Sequence, residues 1–294
     1  QPYYFQRDTH WTPAGAAVSA LALATELGFE TSPFDLEDVL SAEIYEEEGS
    51  LSSIVSAVCG VELAAEPVAT MNYSTVFAAS GLGLLDDAAD TSIALVGTSF
   101  SDRNKRDQYQ VADAVAAATG AEVYNYSVSG GGMTGPMEAF VLSGDIDTAG
   151  HGTVIWEFPY TQSPNATSQL RQLLGALRAT GTDLSQIETV AMSSSNEASI
   201  DFTGGPIATN LISVDVGTFD LFQIDLEVEF ESGKTKTIKM RRKDRIPRDR
   251  RATEWFADLS GWDYGPILRM TANFDQGAAL DYVSFAYSLD TRGF

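Results

Sequence analysis

Cysteine and histidine are nearly missing from this chain: 294 residues contain one Cys, Cys59, and two His, His10 and His151. A single cysteine excludes an internal disulfide and any multi-cysteine metal site. Two histidines leave no ligand cluster, so neither a metal nor a cofactor is expected. No run of about 18 apolar residues occurs, the length a membrane helix needs. Basic side chains are scarce, 18 against 41 acidic for a formal charge of −23. That balance argues against a nucleic-acid partner, because phosphate binding leans on a basic footprint. What is present, 44% hydrophobic and 20% charged residues, is the composition of a folded globular protein. The length suits two domains at about 150 residues each. The chain opens on Gln1 without a basic-then-apolar leader, which reads as a processed or trimmed start and leaves a secreted origin open.

The charge is unevenly placed. Residues 1–190 carry 25 acidic and 6 basic side chains, whereas residues 191–294 carry 16 and 12. Ten of those 12 lie between Lys234 and Arg251. A cluster so dense is a local field able to attract an anionic partner, unless it is only a solvated hairpin.

Periodicity divides the chain in the same way. Thr12 suits an N-cap, Pro13 a first helical position and Gly28 a stop, which predicts a helix from Pro13. Residues 31–90 are acidic and weakly periodic, an expected cap inserted over the core and outside any sheet. Short apolar runs at Ser92–Val96, Glu122–Tyr126 and Thr153–Phe158 read as buried parallel strands. Helical segments at Asp107–Thr119 and Asn165–Ala179 complete a strand–helix alternation, the pattern of a doubly wound α/β sheet. After about Val190 the pattern becomes alternating: Phe222, Ile224, Leu226, Val228 and Phe230 face one way along a half-buried strand. Thr235–Met240 reads as its return strand. Short strands through Ile267–Ala272 and Tyr282–Ser288 predict an all-β sandwich. The expected domains are therefore 1–190, α/β, and 191–294, all-β.

Two motifs carry chemistry. Asp8-Thr9-His10-Trp11-Thr12-Pro13 stands before the first helix, and Gly97-Thr98-Ser99-Phe100-Ser101 follows a buried strand. A serine at a strand-to-helix turn is where an α/β fold exposes a nucleophile. It needs an imidazole to take its proton and a carboxylate to fix the imidazole tautomer. His10 and Asp8, two residues apart, suit those roles, while His151 sits in a glycine turn as a loop residue. Taken singly, a serine after a strand is usually a turn residue.

Together the motifs resemble the alginate O-acetyltransferase AlgX/AlgJ family of SGNH-hydrolase-like proteins. In ordinary SGNH hydrolases the serine comes first; here, as in that family, Asp-x-His precedes it. Val123–Tyr126 through Gly130-Gly131-Gly132, and Val154–Pro159, also look like family blocks, and the β-rich tail looks like its carbohydrate-binding module. The resemblance implies acyl transfer through Ser99, His10 and Asp8, periplasmic or otherwise extracytoplasmic. The acetyl donor would be delivered by a membrane-associated acetylation complex. The Ser99 amide and a backbone amide near Gly130 to Gly132, such as that of Gly131, would stabilise the oxyanion. Ordinary SGNH hydrolases place an Asn donor in the third block, where Glu157 stands here. Ionised, Glu157 cannot donate, so Tyr160 is a candidate substitute or else a rim aromatic. The acceptor implied is an anionic polysaccharide such as a uronate polymer. It would be met by Arg241, Arg242, Lys243 and Arg245, with Trp255 and Trp262 offering flat faces unless they are core residues. An acetyl esterase and a non-catalytic polysaccharide-binding scaffold are the alternatives. AlgX-like proteins carry a substantial segment before Asp-x-His. Its absence implies missing N-terminal sequence, with a disulfide partner for Cys59 in it; otherwise Cys59 is a buried thiol.

Overall fold

The computed structural model describes residues 2–29, 34–80, 92–102, 109–163, 165, 167–184, 186–192, 196–202, 204–274 and 280–288. These residues separate into two compact units, Gln1–Met133 with Ala149–Pro159, and Thr134–Thr148 with Tyr160–Phe294.

The first unit begins with helix α1 (Pro13–Glu26), in which Thr12 accepts a hydrogen bond from the Gly15 amide as its N-cap. Helices α2 (Leu36–Val39), α3 (Ser50–Cys59) and α4 (Ser74–Ser80) alternate with strands β1 (Leu40–Glu47) and β2 (Glu66–Met71). Strand β3 (Ile93–Val96), helix α5 (Val111–Thr119) and strands β4 (Val123–Asn125) and β5 (Thr153–Trp156) follow. A three-stranded parallel sheet runs β4–β3–β5, with Ile93 opposite both Val123 and Thr153. The first strand lies in the middle, so the chain winds outward in both directions, as a doubly wound sheet requires. All four residues of β3 are buried, as expected of a strand covered on both faces. Alanines pack the core: Ala16, Ala20 and Ala24 of α1 join Ala114, Val115 and Ala118 of α5 with Ile93 and Leu95. Small side chains let these helices approach closely.

Residues 40–71 depart from expectation. The segment read as lying outside any sheet forms its own two-stranded antiparallel sheet, β1 against β2, with a register shift between Leu40 and Ile44. That irregularity explains why no clean alternation is visible. The start of the helix expected at Asp107 falls outside the described residues, as do residues 30–33 and 81–91 of the expected cap. Cys59 is exposed at the end of α3, so it is not the buried thiol.

The second unit contains helices α6 (Gly135–Leu142), α7 (Asp145–Thr148) and α8 (Thr167–Ala179). Among the described residues eight strands follow: β6 (Gln186–Ala191), β7 (Glu197–Asp201), β8 (Leu211–Asp215), β9 (Gln223–Phe230), β10 (Thr235–Arg241), β11 (Glu254–Asp258), β12 (Ile267–Phe274) and β13 (Tyr282–Tyr287). They form two antiparallel sheets, β10–β9–β12–β7 and β11–β8–β13–β6. The expected α/β domain and β-sandwich are thus both present. Ile224, Leu226, Val228 and Phe230 of β9 meet Ile238 and Met240 of β10 and Trp255 of β11 in one buried cluster.

The units do not divide at residue 190. Helix α8 lies so close on β11 that a Cβ at Gly175 would stand 2.6 Å from the Ala257 amide nitrogen. Arg171 donates to Asp258 O at 2.8 Å, and Arg178 pairs with the Asp258 carboxylate. Glu138 of α6 receives Arg242 at 2.9 Å and Gln172 of α8 at 2.7 Å. Helical periodicity announces α8 but not which sheet it packs against, and it leaves α6, buried on nearly every side, unmarked.

Candidate active site

The nucleophile turn leaves β3 at Gly97. Ser101 and Asp102 both donate their amides to Thr98 O, at 3.1 and 3.0 Å, closing one helical turn around Ser99 and Phe100. Gly97 is demanded by crowding: a Cβ there would lie 2.5 Å from Glu157 Oε2 and 3.1 Å from Ser127 Oγ. Val128 donates to Gly97 O at 3.0 Å, and the Asn125 side chain donates to Ser101 O at 2.7 Å. The turn is thereby tied to the loop after β4.

The Asp8–His10 loop enters from before α1. Thr12 donates its amide to Tyr3 O at 2.9 Å and Phe5 to His10 O at 3.2 Å. The Trp11 indole donates to Phe100 O at 2.8 Å, pinning the two motifs to each other across 89 residues of sequence. The His10 ring lies between Phe100 and Tyr109, centroids 4.7 and 5.4 Å away.

Within this frame Ser99 Oγ stands 2.8 Å from His10 Nε2, and His10 Nδ1 bonds Asp8 Oδ1. Asp8 Oδ1 also accepts the His10 amide at 2.9 Å, while Oδ2 accepts the Ser50 amide at 2.6 Å. Burial alone would raise the Asp8 carboxyl; the bonds from His10 and from Ser50 outweigh it and hold the group well below the usual carboxylate range. Ser50 opens α3, so the acid also faces the positive end of a helix. Gly49 makes that approach feasible: its φ is +74°, and a Cβ would fall 2.2 Å from Arg7 O. No sequence signal marks this contact beyond the Gly-Ser step itself.

The remaining expected site residues fare differently. Gly131 donates its amide to Val128 O at 2.9 Å, so that donor is spent within its own turn. Tyr160 is 95% exposed, and an oxyanion donor must be held in place by its surroundings; Tyr160 is not. Glu157 reaches the nucleophile turn from the end of β5. It accepts from the Thr98 amide at 2.7 Å and from Thr98 Oγ1 at 3.0 and 3.1 Å. Burial raises the Glu157 carboxyl, and these bonds only partly oppose the rise. His151 is held by Ser92 Oγ at 2.9 Å and the Tyr126 hydroxyl at 3.0 Å, away from the Ser99 pairings.

Of the expected polysaccharide contacts, Lys243 and Arg245 are exposed. Trp255 is fully buried in the sandwich, and Arg242 is buried beneath it, its guanidinium 4.1 Å from the Trp255 ring centroid. Neither can present a face to a ligand. Arg241 pairs with Asp225 at 2.7 Å. Trp262 is half-buried against the sandwich core, with Arg171 stacked 4.5 Å from its ring centroid. Among the described residues no group of three or more potential metal ligands gathers, and no helix is long and apolar enough to cross a membrane.

A family model described as "SGNH hydrolase-like domain, acetyltransferase AlgX" matches residues 1–160. The Alginate biosynthesis protein AlgX of Pseudomonas putida is 27% identical over 81% of this chain and 48% of its own length. That of Pseudomonas aeruginosa is 32% identical over 53% of this chain and 33% of its own. The chain therefore spans about half or less of these curated relatives. The solved structure of Pseudomonas aeruginosa AlgX superposes with a TM-score of 0.75 at 20% identity, covering 98% of this chain and 70% of that one. That likeness is one of fold.

Proposed function

The chain belongs to the family of SGNH hydrolase-like acetyltransferase domains typified by AlgX, and from that premise we propose that it transfers acetyl groups to an anionic polysaccharide through Ser99. The observation that carries the reading is the unbroken chain Ser99 Oγ–His10–Asp8. Ser99 Oγ attacks the acetyl carbonyl of the donor while His10 Nε2 takes its proton. Asp8 fixes the tautomer with Nδ1 protonated and stabilises the imidazolium that forms. Collapse of the tetrahedral intermediate breaks the bond to the donor's leaving group, which receives the proton from His10, and leaves an acetyl-serine. A sugar hydroxyl then gives its proton to His10 and attacks the acetyl carbon; the second tetrahedral intermediate collapses by breaking the bond to Ser99 Oγ, which takes that proton back from His10. The Ser99 amide, at the start of the helical turn, supplies an oxyanion donor.

The acceptor class is a uronate polymer resembling alginate, in keeping with the names of the relatives. Exposed Lys243 and Arg245 supply cations for its carboxylates. The reading assigns the protein to the periplasm or another extracytoplasmic space, with the donor handed over by a membrane-associated acetylation complex. Incubation with an activated acetyl ester and an oligouronate tests the proposal. Wild type acetylates the sugar and Ser99→Ala does not. Equal transfer by both overturns it; ester consumption without sugar acetylation would assign an esterase, and glycan binding without an acetyl-serine a scaffold.

A further inference from the structure

Glu157 is a buried carboxyl side chain that reaches the nucleophile turn from β5, and the triad leaves it without a task. Both of its oxygens accept from Thr98, the residue immediately before Ser99. The fit is close. Gly97 has no room for a Cβ because the Glu157 side chain fills that space, with Oε2 at 2.5 Å and Glu157 Cβ at 2.9 Å from the added atom. The Glu157 amide in turn donates to Val96 O at 2.9 Å, so the residue clasps the turn from backbone and side chain together. Thr98 is itself buried and passes the restraint on: its carbonyl accepts from Ser101 and Asp102, and its hydroxyl lies 3.4 Å from the Phe100 amide.

We infer that Glu157 is a positioning residue: by gripping Thr98 it fixes the turn that sets Ser99 Oγ at proton-transfer distance from His10. The grip needs an oxygen acceptor at Thr98 N and does not depend on the charge of the carboxyl. A glutamine meets the same need, its Oε1 accepting the amide and its Nε2 donating to Thr98 Oγ1. Alanine leaves a buried amide unpaired and opens a space beneath the turn.

Only the identity of the reaction that slows rests on the acyl-transfer reading. The test therefore measures the rate at which a fluorophosphonate phosphonylates Ser99, beside acetyl transfer, with folding followed by circular dichroism. Glu157→Gln labels within about threefold of wild type, whereas Glu157→Ala labels about 100-fold more slowly, the scale of a displaced reacting atom. If Glu157→Ala does not fold, Thr98→Val supplies the comparison. It keeps the amide bond, loses the hydroxyl and labels about fivefold more slowly, the value of one hydrogen bond, while Thr98→Ser restores the rate. A folded Glu157→Ala that labels as fast as wild type overturns the inference, as does Thr98→Val labelling at the wild-type rate. Wild type that labels but transfers no acetyl group defeats the acyl-transfer reading and leaves the positioning role standing. Wild type that takes no label defeats both.

Discussion

Three donors converge on Asp8: the His10 ring, the His10 amide and the Ser50 amide. All three favour the ionised carboxylate, so acid must break them as it protonates the group. An unfolded aspartate titrates near 3.9, and the folded Asp8 lies below that. Its contribution is therefore complete above the unfolded value and is lost as pH falls toward the folded one. We expect urea unfolding to show about 2 kcal/mol more stability for wild type than for Asp8→Asn at pH 7. The gap should narrow steadily below about pH 4, and a constant gap would mean the carboxylate is not the titrating group. Catalytically, Asp8→Asn should lower kcat about 10⁴-fold with Ser99 and His10 in place, because the imidazole then adopts the wrong tautomer. At this scale the sequence is informative where partners are close along the chain. Asp8 and His10 are two residues apart, and Ser99 follows directly on a buried strand. The Ser50 amide, 42 positions from Asp8 and reached through backbone alone, has no side-chain signature to betray it.

Strand β10 shows what a charge count misses at the level of the element. Ile238 and Met240 face inward, and the same two-residue period carries Arg242 inward after them. There it meets Glu138 of α6, stacks on Trp255 and donates to the Ala252 carbonyl. Reading Lys234–Arg251 as one exposed cluster merges residues of opposite facing; the alternation that identifies β9 also separates Arg242 from Lys243. Its partner lies 104 positions away on a helix, where no local pattern reaches. Arg242→Ala should cost about 3–5 kcal/mol in urea unfolding, since Glu138 is left buried without a counter-charge. The double replacement Glu138→Gln, Arg242→Met should regain much of that loss. If the two costs simply add, the pair is not acting as a unit. Trp255 illustrates the same limit, because an aromatic in a strand rich in apolar neighbours is core or surface according to facing that only the fold decides.

For the whole molecule, the formal charge of −23 gives a poor account of what the protein attracts. With Arg242 withdrawn into the interior and Arg241 and Arg248 paired with carboxylates, the basic surface between Lys234 and Arg251 is narrower than the sequence count, with Lys234, Lys239, Lys243 and Arg245 exposed. Binding of an oligouronate should therefore depend on these few cations and weaken by about tenfold or more between roughly 0.05 and 0.5 M salt as they are screened. Lys243→Ala with Arg245→Ala should flatten that dependence, which titration calorimetry at several salt concentrations measures. An unchanged slope would move the glycan to another surface. Fold class was legible at this scale because a period-2 region follows strand–helix alternation. The division of the chain was not, because α6 and α8 belong by packing to the sandwich side and by sequence position to the other.

The segment between α1 and the parallel sheet looks like an addition that could be exchanged for another linker. Its helix α3 begins at the residue whose amide holds the acid of the triad. A chimera that replaced it would retain Ser99, His10 and Asp8 in their sequence places and would pass any inspection of motifs. It would nevertheless lose the Ser50 amide that holds the second oxygen of the carboxylate. Grafts between members should therefore move this segment together with the Asp-x-His loop, as one inherited part.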